Sequence, residues 1–417
     1  MAAALDVNEV RGSFPGLAGG NVYFDNAGGS QTLGAVAERI RDYLVNTNVQ
    51  LGASYATSKE ATKRYYEGYT AAAEYIGASA EEVALGPSTT QLFYNVSYAL
   101  NFEEGDEIIV SIIDHEANIA PWVLLAERQK LILKWWHPNN TTPDAKTNPK
   151  LLASDLPALL TPKTRLVTCT HASNILGTIH DIGAISRTVH THSPNALVCV
   201  DAVAYAPHRQ IDVRALGADL YAFSWYKVYG PHLAMLYASP RALAALRSLG
   251  HFFKSHRSLE DKLGLAAAGY ELVHALPAVA AYLDGRWDAI AAHECRLQQT
   301  LLDWLDARGE EVTVYGERGA GGGGGGDADV RVPTVSFTVR GWGSRALVER
   351  VEAESKGVVG FRWGGFYSQR LVGEVLGLGK EGVVRVSMVH YNTVDEVKTL
   401  IALLEKVLDE NSPQTKL

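Results

Sequence analysis

From about Val83 to Met235 the chain alternates short β-rich apolar runs with helix-length segments, and that alternation leaves few folds open. The runs are Glu107–Ser111, Leu131–Trp136, Arg165–Thr170, Ala196–Val200 and Leu220–Trp225, with helical stretches such as Ile119–Arg128 and Ile182–His190 between them. Strands separated by helices build βαβ units around a mostly parallel sheet. Strands covered by helices on both faces read as continuous apolar runs rather than alternating ones, as these do. The sequence therefore predicts an α/β fold. At 417 residues the chain exceeds what one small core organises, so two domains are expected.

Beyond Ser239 the pattern changes. Glu260–Asp284 and Trp287–Arg308 are rich in alanine or leucine, which predicts two long helices. Gly319–Asp329 contains six consecutive glycines, Gly321–Gly326. It formally matches GxGxxG, but no strand–turn–helix surrounds it, so it reads as a flexible surface loop and not as a dinucleotide site. Val332–Val339, Arg345–Glu354, Val383–Val389 and Val394–Leu408 then predict a smaller α/β domain. The expected division is an N-terminal segment over 1–20, a large domain over 21–285, a small C-terminal domain over 286–410 and a tail over 411–417.

A net charge of −8 and a pI near 5.9 argue against a nucleic-acid surface, which would show a basic stripe. Cys169, Cys199 and Cys295 lie far apart without a CxxC pair, so neither a disulfide framework nor a metal site is expected. No run reaches the ~18 apolar residues of a membrane span, and Asp6, Glu9 and Arg11 interrupt any signal-like segment. The expectation is a soluble, cytoplasmic protein. Its last residues, Thr415, Lys416 and Leu417, stand one residue from a peroxisomal S-K-L signal.

In sheets of this type ligands bind beyond the carboxyl ends of the strands. The residues just after the apolar runs include Asn174, Asp201 and Lys227. An acid and a lysine at such ends fit pyridoxal 5'-phosphate (PLP). That cofactor needs a lysine to hold its aldehyde, an acid to keep its pyridine nitrogen protonated, donors for its phosphate and a group covering its ring. Lys227 lies in Phe223-Ser-Trp-Tyr-Lys-Val-Tyr-Gly-Pro-His232, where aromatic flanks would desolvate it and lower its pKa. Asp201 follows Ala-Leu-Val-Cys-Val, and an ionised aspartate at a buried strand end is costly unless a cation pairs with it. Ser88, Thr89 and Thr90 precede a helical stretch over Gln91–Leu100, offering hydroxyls and free amides for a phosphate. Ser224 adds another hydroxyl, and His115, after the Ile108–Ile113 region, offers a flat ring to cover the cofactor.

Five segments occur in order: Asp114-His-Glu-Ala-Asn-Ile-Ala-Pro-Trp122, Ser173-Asn-Ile-Leu-Gly-Thr178, Val200-Asp201, Phe223-Ser-Trp-Tyr-Lys-Val-Tyr-Gly-Pro231 and Val384-Arg-Val-Ser-Met-Val-His-Tyr-Asn-Thr393. Together they resemble the class V aminotransferase, or cysteine desulfurase-like, family of fold-type I PLP enzymes, over about Tyr23 to Leu408. Within it the SWYK and HYNTV segments are most similar to a fungal branch with the PLP enzyme of loline biosynthesis and a decarboxylating aldolase of ustiloxin biosynthesis. The resemblance implies a large domain with a mostly parallel seven-stranded sheet, a small C-terminal domain and a homodimer. It implies Lys227 as the Schiff-base lysine, Asp201 at the pyridine nitrogen and His115 stacked on the ring. Thr89, Thr90 and Ser224 would bind phosphate, with Tyr226 where desulfurases usually have a phosphate-binding histidine. Asn174 and Arg385 would hold the α-carboxylate of an amino-acid substrate, with Arg362 and Tyr367 beside them.

The chain also departs from the desulfurase pattern. Those enzymes carry the sulfur-accepting cysteine in an RxGxxC loop, whereas Arg362-Trp-Gly-Gly-Phe-Tyr-Ser368 has Tyr367 at that position. Ala204 replaces the glutamine that usually follows the aspartate, and the Gly-Thr pair that reaches a partner's phosphate is not evident in Leu263–Glu271. The expected activity is therefore formation of a Cα carbanion or aminoacrylate from an amino acid, used for C–C bond formation in alkaloid-like specialised metabolism. A C–S lyase acting through another nucleophile, an aminotransferase and a silent PLP-binding scaffold are the competing readings.

Overall fold

The structure is a computed structural model that describes residues 5–138, 146–318 and 328–410. Most of the expected glycine-rich loop over 319–329, and the whole tail with Thr415, Lys416 and Leu417, lie outside the described residues. In chain order the strands are β1 (Val22–Tyr23), β2 (Val83–Gly86), β3 (Glu107–Ser111), β4 (Ile132–Trp136), β5 (Thr164–Thr170), β6 (Leu197–Asp201) and β7 (Leu220–Ser224). They continue with β8 (Ala234–Ala238), β9 (Val312–Tyr315), β10 (Thr334–Val339), β11 (Val359–Gly360), β12 (Arg362–Gly364) and β13 (Val383–Ser387).

Seven strands form one sheet in the order β2-β8-β7-β6-β5-β3-β4. Strands β3 to β7 run parallel, while β8 is antiparallel to both β2 and β7. The apolar runs are continuous because alternate residues enter two different cores. Val198, Val200, Tyr221 and Phe223 pack on one face, and Leu197, Cys199, Leu220 and Ala222 on the other. Each fully buried large apolar side chain contributes about 1.5–3 kcal/mol, and a register slip would exchange the two faces. Only the edge strand β4 is half-open, and there Lys134 Nζ pairs with Glu107 of the neighbouring β3 at 2.7 Å and donates to Leu159 O at 2.9 Å.

The second sheet is antiparallel, in the order β12-β13-β10-β9. Val335, Phe337, Val384 and Val386 pack against Leu297 and Leu301 of helix Trp287–Ala307 and Leu400 and Leu404 of helix Val394–Asp409. A capping box, Thr393 with Glu396, starts the last helix. β1 pairs with β11, and Asp25 bridges to Ser387 at the end of β13, so residues just after β1 run alongside the second sheet. The boundary expected at residue 285 falls in the turn between helices Tyr270–Leu283 and Trp287–Ala307.

One expectation needs correction. Glu260–Asp284 is not a single helix: a turn over Glu260–Gly264 ends in left-handed Leu265 and Ala266, and a new helix runs over Tyr270–Leu283. The two pieces serve different cores. Leu259 and Leu263 pack beneath β8 while Val273 and Leu276 pack on the opposite face, which one straight helix could not reach. Likewise Arg362–Gly364, read only as part of a loop, is a strand paired with β13. No helix among the described residues is long and apolar enough to cross a membrane.

Candidate active site

The carboxyl ends of β2, β3, β5, β6 and β7 converge on one cleft of about 550 Å³ and a deeper adjoining cavity of about 90 Å³. Thr90, His115, Asn174, Tyr226 and Lys227 line both. Thr89, Asp201 and Ser224 line the deep part; Arg362, Tyr367 and Arg385 line the outer part. With Ser88, which also lines the deep part, the twelve candidate site residues read from the sequence lie around one space.

Lys227 ends a short helical turn, Trp225–Lys227, squeezed between β7 and β8. Its neighbours are fixed by the fold: Trp225 N donates to Leu233 O at 2.7 Å, and Gly230 N to Trp225 O at 2.9 Å. Nζ makes no hydrogen bond or ion pair with the described residues and lies 5.8 Å from the centre of the Tyr226 ring. Burial, and then the charge of Arg385, lower its pKa to about 8, with Asp201 and Asp25 opposing. An amine near neutrality is a nucleophile at physiological pH.

Asp201, the last residue of β6, is 4 % exposed. Its Oδ1 accepts from Val203 N at 2.9 Å, and it has no ion-pair partner among the described residues. Burial raises its pKa to about 6. A buried carboxyl so sparsely satisfied favours a cationic partner. At the other end of the cavity Thr89 Oγ1 and Ser224 Oγ are 2.8 Å apart, beside the first turn of helix Thr89–Ala99. Ser88 caps that helix by accepting from Gln91 N. The amides of its first turn lack partners within the helix and suit an anion. A ring-shaped ligand with a cationic nitrogen at one end, a phosphate at the other and an aldehyde toward Lys227 fits these side chains, and PLP has that make-up.

His115 caps the turn Glu116–Asn118 with Nδ1, which accepts from Ala117 N at 3.0 Å. Any ring proton is thereby assigned to Nε2. Burial, then Lys227 and Arg385, push its pKa down to about 4, so it is neutral at pH 7. The Asp114 carboxylate accepts from Asn118 Nδ2 at 2.7 Å, and Trp122 Nε1 donates to Asn118 Oδ1 at 2.9 Å, a buried chain that fixes this turn. Tyr226 stacks on His232 with ring centres 4.7 Å apart and planes nearly parallel.

The substrate side differs from expectation in detail. Asn174 lines the cleft, but its amide is engaged: Nδ2 donates to Phe366 O at 3.0 Å and Oδ1 accepts from Ser368 Oγ at 2.9 Å. Arg385, on β13, uses Nη1 for the Asn174 carbonyl and Nη2 for Asp25. Tyr367 is 74 % exposed, with its ring 5.4 Å from that of His115. Sequence reasoning missed Asp25 and Phe366. The only signal for Asp25 was an acid after the short apolar run from Val22 to Phe24. Of the cysteines, Cys169 and Cys199 are buried in β5 and β6 with burial holding both thiols up, Cys295 is on helix Trp287–Ala307, and none lines the cleft.

Comparison with known proteins agrees with this geometry. The chain is 53 % identical over 98 % of its length to the aminotransferase-like protein FGM3 of Gibberella zeae, all of which is covered. It is 36 % identical over 98 % of its length to the cysteine desulfurase-like protein ustD of Aspergillus flavus, covering 92 % of that protein. Among solved structures, an apo cysteine desulfurase from Thermococcus onnurineus NA1 matches with a TM-score of 0.84 at 25 % identity, over 98 % of this chain and 100 % of the other. The description "Aminotransferase class-V" matches residues 22–400. With a buried lysine, an unpaired aspartate and two facing hydroxyls at the ends of one sheet, the chain belongs to the class V aminotransferase, cysteine desulfurase-like family of fold-type I enzymes, and its cofactor is PLP.

Proposed function

We propose that this enzyme activates the Cα of an amino acid and joins that carbon to an aldehyde or imine, within fungal specialised metabolism of the alkaloid kind. PLP, when bound, supplies an aldehyde that takes up amines and a pyridine ring that accepts electrons from a bond broken at Cα. The remaining work falls to the chain's own side chains. Lys227 would hold the cofactor, and its Nζ is the group placed to take or return a Cα proton. Asp201 pairs with the pyridine nitrogen and keeps its proton in place. His115, uncharged, covers the ring, and Tyr367 above it narrows access for water. Thr89, Thr90, Ser224 and Tyr226 hold the phosphate, while Arg385 orients the substrate carboxylate, with the Asn174 carbonyl fixing its guanidinium and Arg362 lending positive charge beside it.

The observation that carries this reading is the outer cleft itself. Its volume lies in the range that accommodates drug-sized ligands, which leaves room for a second organic substrate beside an amino acid. At its mouth stands Tyr367, where a desulfurase would present its thiol.

The test incubates the purified enzyme with a panel of amino acids in deuterated buffer, with and without aldehydes. Mass spectrometry reads Cα exchange, loss of carboxylate, elimination and new C–C products separately. An amino acid that exchanges or decarboxylates and then adds to an aldehyde supports the proposal. Sulfide and alanine from cysteine, or a keto acid with the aminated cofactor, would replace it. The same reading takes a homodimer as the working unit, consistent with Phe252 standing fully and Phe253 largely exposed. Light scattering should return twice the 45.2 kDa of the chain, and a monomer mass contradicts this.

A further inference from the structure

Arg385 and Arg362 stand directly opposite each other on antiparallel β13 and β12, an arrangement in which like charges repel. Asp25 sits between them. Its Oδ1 accepts from Arg385 Nη2 at 2.8 Å and its Oδ2 from Arg362 Nη1 at 3.3 Å. Gly28 makes room for it, since a Cβ there would come within 3.0 Å of Asp25 Oδ2.

Arg385 does not depend on Asp25 for its position. Its Nη1 donates to the Asn174 carbonyl at 3.2 Å, its guanidinium carbon lies 3.6 Å from the centre of the Phe366 ring, and the side chain is only 2 % exposed. A planar guanidinium held by stacking and packing keeps its geometry when one acceptor leaves. Asp25 is freer: its side chain is 32 % exposed, and its second partner, Arg362, is 56 % exposed. The aspartate thus occupies one of the two terminal arms of Arg385, the residue read as receiving the carboxylate, and it has another cation to retain when it lets go.

We infer that Asp25 is an internal competitor for the carboxylate site, holding Arg385 Nη2 when no substrate is bound and yielding it to the substrate carboxylate while keeping Arg362. The inference rests on the reading that Arg385 receives that carboxylate. Its consequence is a deliberately weakened grip. Affinity shared equally by substrate and transition state does nothing for the chemical step, and a looser site lets a carboxylate-bearing product leave.

The test titrates the PLP-loaded enzyme with acetate in a calorimeter, comparing wild type with Asp25→Asn, Asp25→Ala and Arg385→Gln. Asp25→Asn keeps the shape and removes the charge. A unit charge about 4 Å away changes anion affinity about fivefold in water-like surroundings, so acetate should bind about fivefold more tightly or better to both Asp25 variants. Equal or weaker binding in variants whose thermal midpoints match wild type overturns the inference, because Asp25 would then orient Arg385 instead of competing for it. In Arg385→Gln acetate binding should disappear. Acetate bound there at wild-type strength sinks the parent reading of Arg385, whatever the Asp25 variants do.

Discussion

Thr89 Oγ1 lies 2.8 Å from Ser224 Oγ, joining the first residue of the helix after β2 to the last residue of β7 across 135 positions of sequence. Two hydroxyls so close, both lining the deep cavity, can each turn a donor toward one anion. A hydrogen bond to a charged group contributes roughly 1.5–3 kcal/mol, so Thr89→Val or Ser224→Ala should weaken PLP binding about tenfold or more. Fluorescence titration of the cofactor-free protein checks this. Unchanged affinity in both variants would remove the phosphate from this corner.

Asp201 predicts a pH signature of the cofactor-free protein. Burial raises its pKa in the folded protein to about 6 from the ordinary 3.8, so the folded state binds the proton more tightly. The associated stability is complete below the unfolded pKa and is lost as pH rises through about 6, a total of about 3 kcal/mol by the linkage relation. Thermal midpoints of wild type should fall relative to Asp201→Asn between pH 4 and 7. PLP, by supplying a cation, should remove most of that difference. Parallel pH curves for the two cofactor-free proteins would contradict the account.

Lys227 predicts a second titration. An amine must be uncharged to take up an aldehyde, and its pKa is lowered from 10.5 to about 8. Capture of PLP by the cofactor-free protein should therefore accelerate up to about pH 8 and then level off. Stopped-flow absorbance reads the rate directly. A rate still climbing toward pH 10 would mean an amine in ordinary solvent.

Gly177 is the backbone hinge of the Ser173–Thr178 turn that carries Asn174. It has a φ of +70°, and a Cβ there would lie 2.4 Å from Thr334 O and 2.9 Å from Val332 O. Strain and overpacking add, so Gly177→Ala should cost at least about 2 kcal/mol. Gly285, also left-handed at +68° but with open space around it, should cost about 1 kcal/mol as alanine. Urea unfolding compares the two. Equal losses would show that the close approach to β10 is not what Gly177 serves.

The sheet was legible because its strands are buried on both faces, which leaves continuous apolar runs, and because strand ends in such sheets hold ligands. Lys227, Asp201 and Asn174 follow directly from that rule. Asp25 was not legible: its partner Arg385 is 360 residues away, and the strand before it has only two residues. The break at Leu265 and Ala266 was hidden by good helix formers on both sides, and tertiary packing on two different cores overrode that local propensity. The strand over Arg362–Gly364 is too short to show a period. The outer wall of the cleft, with Arg362, Tyr367 and Arg385, is assembled from segments distant in sequence, whereas its deep part comes from neighbouring strand ends.

The central claim is that the Lys227 amine is the group that holds the cofactor. Borohydride reduction of the PLP-loaded enzyme, followed by digestion and peptide mass spectrometry, should find the stable phosphopyridoxyl adduct on Lys227 alone, and Lys227→Ala should yield none. An adduct mapped to another lysine, or one that persists in Lys227→Ala, would contradict the account.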